Sequence, residues 1–159
     1  MPLQIGTSLP SFEGATEWLG GETVSEGTGQ PTLVQFWAVS CPICKMNVPR
    51  LLEFLDTYRS SGLRLVSVHM PRMEADMDST QVRQAMTDMN LAGPCAIDNA
   101  HTVGERFQTG GVWPYYFFFD ADGRLRSRAA GALGLKMAEK SLVRLLSQDA
   151  LSQKEAVST

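Results

Sequence analysis

Cysteine is scarce in this chain. Three in 159 residues are too few, and odd in number, for a disulfide framework. His69, His101 and Cys95 stand singly, with no second cysteine pair nearby, which leaves a zinc site short of its usual four ligands or so. Basic runs are also missing. Lys and Arg number 14 against 17 acids, for a formal charge of -3, which argues against a nucleic-acid partner. No segment reaches the roughly 18 consecutive apolar residues of a membrane helix, so no membrane partner is expected. Residues 1–12 have neither the basic start nor the apolar run of a secretory leader. With Met1 as the natural start, the expectation is a cytoplasmic protein whose thiols rest reduced. Internal repeats and low-complexity blocks are absent.

What remains is the composition of a globular domain, with 43% hydrophobic and 19% charged residues. One domain is expected over 1–148, followed by a flexible polar tail over 149–159. "TLVQFWAV" (32–39) is almost continuously apolar and β-rich, as in a strand buried on both faces of a parallel sheet. A helix starts at about Cys41, with Val48, Leu51, Leu52 and Leu55 at helical spacing, an internal Pro49 that should kink it, and Gly62 at its end. "LRLVSVHM" (63–70) reads as a second strand, parallel to the first by a right-handed crossover. Asp78 with Gln81 resembles a capping box for a helix through Asn90. A short strand is expected at 95–98 and a short helix at 101–107, with His101 capping or opening it. "YYFFF" (115–119) and "RLRSRAA" (124–130) flank the turn "DADG", a strong hairpin signal. Leu135, Ala138, Leu142, Leu145 and Leu146 line the last helix. An N-terminal hairpin is expected over 15–25, around Gly20 and Gly21. The fold class is therefore α/β, a mixed sheet flanked by helices.

Cys41 and Cys44, three residues apart in "FWAVSCPICKMNVP", carry the chemistry. The first amides of a helix lack internal partners and carry partial positive charge, so a thiolate at Cys41 is stabilised there. The i, i+3 spacing brings Cys44 onto the same face. Pro42 suits a first turn, where its missing N–H is no loss. Pro42 and Ile43 bring no charge, so the helix end supplies most of the activation. The pair fits a dithiol that cycles to a disulfide; half of a zinc site and a peroxide-reducing thiol are the other chemistries that could use it.

"VQFWAVSCPICKMNVP" resembles the active-site segment of the thioredoxin superfamily: apolar strand, Trp-Ala, Cys-x-x-Cys, a basic residue, and a proline five positions after the second cysteine. Cys41, Cys44, Lys45 and Pro49 fall on that pattern. "GGVWPYYFFFDADGRLR" resembles the segment that carries the superfamily's cis-proline, and Pro114 falls on it. The extra residues at about 70–100 are similar to the inserted helix and strand of the TlpA/ResA-like branch. "VSVHMPRMEADMD" and "GLKMAEKSLVRLL" resemble the cytosolic YkuV-type thiol-disulfide oxidoreductases.

The resemblance implies a thioredoxin-like fold with a central helix-strand insertion, and a disulfide reductase acting through Cys41 and Cys44. Disulfide-containing protein substrates and a thiol reductant are the expected partners, and a monomer without cofactor or metal is expected. It implies Pro114 as the active-site cis-proline, with Trp113 beside it able to pair with a bound peptide. Trp37 is expected as a partly exposed platform, with Ser40, Pro42 and Ile43 supporting. Two departures stand out. Gln35 occupies the place of the buried acid of thioredoxins, and Asn47 that of the glutamate of ResA-like proteins. Ser40 also replaces the second tryptophan of thioredoxin.

Competing readings stay open. A peroxiredoxin-like peroxidase wants Thr or Ser three residues before its reactive cysteine, where Ala38 stands. A copper carrier could use the methionines at 70, 73, 77, 86 and 89, although packing explains their spacing. Cys95 is expected as a buried inert thiol. His69 and Arg72 stand at a strand end where ligands gather: His69 could tune the thiolate and Arg72 could steer acidic partners, against which stand a satisfied histidine and a solvated arginine. The acids of "EADMD" (74–78) are expected in solvent.

Overall fold

The computed structural model describes residues 2–24 and 29–157, with side chains in the last helix described through Gln148. The strands are β1 (Glu17–Leu19), β2 (Thr32–Trp37), β3 (Arg64–His69), β4 (Cys95–Ile97), β5 (Tyr115–Phe119) and β6 (Leu125–Ala130). The helices are α1 (Pro42–Thr57), α2 (Ser79–Asp88), α3 (Thr102–Arg106) and α4 (Gly134–Val157), with 3₁₀ turns at Arg59–Ser61 and Glu74–Met77.

One six-stranded sheet runs β1-β4-β3-β2-β5-β6. β2 pairs parallel with β3, and β3 with β4; β2–β5, β5–β6 and β1–β4 are antiparallel. The sheet is thus mixed, with β2 buried along its whole length between β3 and β5. Strand side chains alternate between faces. Val34 and Phe36 therefore join Val66, Val68, Phe117 and Phe107 in one core, beside α3 and the N-terminal segment. Leu33 and Trp37 join Leu51, Phe54, Val82 and Leu142 in the other, beneath α1, α2 and α4. Gln35, between Leu33 and Trp37 on that second face, is 2% exposed.

The β5–β6 hairpin is fixed by its turn. The Asp120 carboxylate accepts from the backbone N–H of Asp122 and of Arg124, and Gly123 adopts φ +79°. Arg126 donates to the same carboxylate at 2.5 Å. These bonds pull the Asp120 carboxyl below its ordinary value against the opposing effect of burial, which is the largest single influence on it.

Several expectations need correction. The hairpin expected over 15–25 is one strand, β1, whose partner is β4, with Glu17 opposite Ile97; Ser25 lies outside the described residues. Gly20, at φ +69°, sits so close to Gly93 that a Cβ would lie 2.5 Å from its carbonyl oxygen, so the glycine serves a close approach between distant segments. α1 contains Pro49, as expected, but ends at Thr57, and Gly62 closes a separate 3₁₀ turn instead. α4 runs past the expected end near Gln148, over a stretch rich in good helix formers. His101 precedes α3 without a side-chain cap. The cap comes instead from Asp98, whose carboxylate accepts from the N–H groups of Val103 and Gly104 at 3.0 and 2.8 Å. No helix among the described residues is long and apolar enough to cross a membrane.

Candidate redox site

β2 delivers the chain to the start of α1, where a disulfide joins Cys41 and Cys44, with Cα atoms 5.3 Å apart. Cys41 has the extended backbone of an N-cap residue, and its sulfur accepts from the Cys44 N–H at 3.2 Å. That contact directs one otherwise unpaired helix amide at the Cys41 sulfur, so a thiolate there meets a hydrogen-bond donor as well as the helix end. Both cysteines are 3% exposed, whereas Pro42 and Ile43 between them face solvent.

The Trp113–Pro114 peptide bond is cis. The register pairs Phe36 with Tyr115, which sets Pro114 one step further along, opposite Trp37 and close to the start of α1. Trp113 is half-buried, and its indole N–H donates to the Met70 carbonyl at 2.6 Å. His101, 6.0 Å from the Trp113 ring, pairs through Nε2 with the Pro71 carbonyl.

Trp37 is not a surface platform. It is 2% exposed, because its place in β2 points it into the α1 core. Its ring meets that of His69 edge to face at 4.9 Å. Cys95 is fully buried, and burial pushes its thiol up to about 12, as expected of an inert cysteine. The two positions where the resemblance leads to the expectation of an acid hold amides with neutral partners. Gln35 donates to Ser67 Oγ at 3.1 Å, and Asn47 to the Tyr116 hydroxyl at 3.3 Å and the Ala132 carbonyl at 3.4 Å.

The largest surprise lies in "HMPRMEAD". His69 is fully buried, and its Nε2 accepts from the Val39 N–H at 3.1 Å, while Nδ1 has no partner. Burial pushes the His69 imidazole down to about 4, with partial opposition from the Asp76 carboxylate. Asp76, expected in solvent, is 3% exposed. It accepts from Ser40 Oγ at 2.6 Å and from the Arg72 N–H at 3.0 Å. The Arg72 guanidinium in turn donates to the Ser40 carbonyl at 2.7 Å. Glu74, Asp76 and Asp78 all lie at or beside one 3₁₀ turn, and no periodicity in the sequence marks the middle one as the residue that turns inward.

Met73 and Met77 are exposed, whereas Met70 and Met86 are buried. Among the described residues, no three His, Cys, Asp or Glu side chains gather closely enough to hold a metal ion.

This geometry has close parallels. The model of the AhpC/TSA family matches residues 5–128. Thiol-disulfide oxidoreductase YkuV of Bacillus subtilis is 35% identical over 148 residues, covering 92% of this chain and 99% of its own. Thiol-disulfide oxidoreductase ResA of Oceanobacillus iheyensis is 25% identical, over 86% of this chain and 70% of its own. The solution structure of a thioredoxin-like protein in the oxidized form superposes with a TM-score of 0.81 at 34% identity, covering 92% of this chain and 99% of that one. A six-stranded mixed sheet carrying a disulfide at the start of its first long helix, matched by these proteins over nearly its whole length, makes the chain a member of the AhpC/TSA family with a thioredoxin-like fold.

Proposed function

We propose that the protein is a thiol-disulfide oxidoreductase that reduces protein disulfides through Cys41 and Cys44. The observation that carries this reading is the cysteine pair itself, joined at the N-terminus of α1 with the Cys44 N–H directed at the Cys41 sulfur. In the reduced protein, the Cys41 thiolate attacks one sulfur of a substrate disulfide. The substrate S–S bond breaks, a mixed disulfide forms, and the departing substrate thiolate takes up a proton. Cys44 then gives up its proton and attacks the Cys41 sulfur. The Cys41–Cys44 disulfide closes and the second substrate thiol is released. A thiol reductant returns the pair to the dithiol, so the cycle suits a reducing compartment such as the cytoplasm.

Pro114 and Trp113 form the far wall on this reading. Proline has no N–H, and the backbone of Trp113 beside it can pair with an extended substrate segment. Ile43, 42% exposed, and Pro42 meet the substrate beside the disulfide, and Ser40 supports Cys41 from behind.

The test is reduction of insulin disulfides. Cys41→Ser abolishes the activity, and Cys44→Ser accumulates mixed disulfides visible on a non-reducing gel. Full activity in Cys41→Ser would end the proposal. Membership of the AhpC/TSA family supports a second reading, a peroxidase. Stopped-flow mixing of the reduced protein with hydrogen peroxide separates the two. Oxidation of Cys41 no faster than that of a free thiol is the expected result, in keeping with Ala38 three residues before it.

A further inference from the structure

Val39 and Ser40 lead into Cys41, and side chains from one stretch of the chain hydrogen-bond to both. Val39 is held through its N–H by His69, and Ser40 through its hydroxyl by Asp76 and through its carbonyl by Arg72. All three partners come from the eight residues His69 to Asp76, which begin with the last residue of β3. The Arg72 contact falls on the peptide group that joins Ser40 to Cys41. Standard chain geometry then keeps the guanidinium within about 8 Å of the Cys41 sulfur. The Asp76 carboxylate is bound to the side chain of the same serine and is buried, where charge is screened less.

We propose that Arg72 and Asp76 are positioning residues that act on Cys41 through Ser40 with opposite sign. The guanidinium favours the Cys41 thiolate, and the carboxylate disfavours it. This rests on the reading of Cys41 as the attacking thiol, and it locates control of that thiol in the segment after β3 rather than in the residues under α1.

Besides these two charges, the neighbouring titratable side chain is His101, which pairs with the Pro71 carbonyl and is unchanged in every variant below. The segments 108–114 and 129–135 carry no charged residue. Lys45 on α1, Lys136 on α4, and Glu74 and Asp78 beside Asp76 are solvent-exposed. His69, the other titratable group of the brace, is neutral at neutral pH, because burial opposes its charged form. Gln35 and Asn47, on the α1 side, are uncharged.

A brace that merely held the loop would respond to either loss in the same direction. Opposed charges respond in opposite directions. The experiment is alkylation of reduced protein by iodoacetamide, a neutral reagent, followed from pH 5 to pH 10 in a Cys44→Ser background so that Cys41 is the reporting thiol. Adding Arg72→Gln should slow alkylation at pH 6 by about three- to tenfold, and adding Asp76→Asn should speed it by about two- to fivefold. Each tenfold corresponds to about one unit in the thiol pKa. The rates should converge near pH 10, where the thiol is ionised in every variant.

Shifts in the same direction, or none, in folded variants overturn the proposal. Arg72 is exposed and its loss leaves the core intact. If Asp76→Asn does not fold, the sign of Arg72→Gln alone decides, and unchanged or faster alkylation overturns the proposal. Opposite shifts in a protein that fails to reduce insulin would count against the reductase reading and leave the charge assignment standing.

Discussion

Two sets of polar side chains border the Cys41–Cys44 pair, and they differ in kind. On the α1 side, Gln35 and Asn47 are neutral and bind neutral partners, Ser67, Tyr116 and Ala132. On the side of the segment after β3, His69, Arg72 and Asp76 are titratable or charged, and all three hold residues 39 and 40. The family resemblance leads to the expectation of acids at the places of Gln35 and Asn47. Among the described residues, the buried carboxylate of Asp76 reaches the residue before Cys41 from the segment that follows β3. The difference teaches that a Cys-x-x-Cys motif fixes the attacking atom but not the origin of the charges around it. These belong to whichever neighbouring segment reaches the loop.

The charged side should therefore dominate the pH behaviour of the fold. In the unfolded chain His69 takes up a proton below about 6.5; in the folded protein it does so only below about 4. Its contribution is complete above pH 6.5 and is lost as the pH falls from 6.5 to 4, for a total of about 3 kcal/mol. Urea unfolding of the wild type and His69→Gln at pH 7.5, 6, 5 and 4.5 measures this. The wild type should lose stability across the series, and the variant, which can still accept from the Val39 N–H, should lose about 2.5 kcal/mol less by pH 4.5. Equal slopes would place the acid sensitivity elsewhere and remove His69 from the contrast.

The neutral side should respond in stability rather than in chemistry. Gln35→Leu keeps the volume but deprives the buried Ser67 hydroxyl of a partner at 3.1 Å, at a cost of about 1–2 kcal/mol. Adding Ser67→Ala removes the stranded group and should restore most of the loss, since replacing both partners by apolar groups is far cheaper than orphaning one. Insulin reduction per folded molecule should stay within about twofold across pH 6–8. A change in the pH profile with unchanged stability would show that the amide takes part in proton transfer.

How much of this was legible in the sequence follows the same division. The local features were readable: an apolar run for β2, a Cys-x-x-Cys at a helix start, and an Asp-Gly turn for the β5–β6 hairpin. Each is written in neighbouring residues. The pairing of β1 with β4 joins residues some 80 apart, and Gly20–Gly21 suggests a local turn when its real neighbour is Gly93. Trp37 resembled a surface platform by family pattern, yet period-2 alternation in a doubly buried strand points it inward. Asp76 was the hardest to see. Three acids flank or form one 3₁₀ turn, and only the arrival of Ser40 from another part of the chain decides which of them is buried.

Asn47 offers the smallest effect and the sharpest check on the contrast. Its two hydrogen bonds, at 3.3 and 3.4 Å, are long, and the residue is half-buried. Asn47→Ala should therefore cost about 1 kcal/mol, the low end for leaving a buried hydroxyl short of a partner, or a fall of about 2–4 °C in melting temperature for a domain of this size. Burial already holds the Tyr116 phenol above its ordinary value, so the hydroxyl stays protonated when its amide partner is lost. Insulin reduction should stay within about twofold of wild type. A tenfold loss of activity at unchanged melting temperature would mean that the amide, one turn beyond Cys44 on α1, helps that thiol release its proton. The α1 side would then share in the chemistry, and the division between a structural side and a charged side would no longer hold.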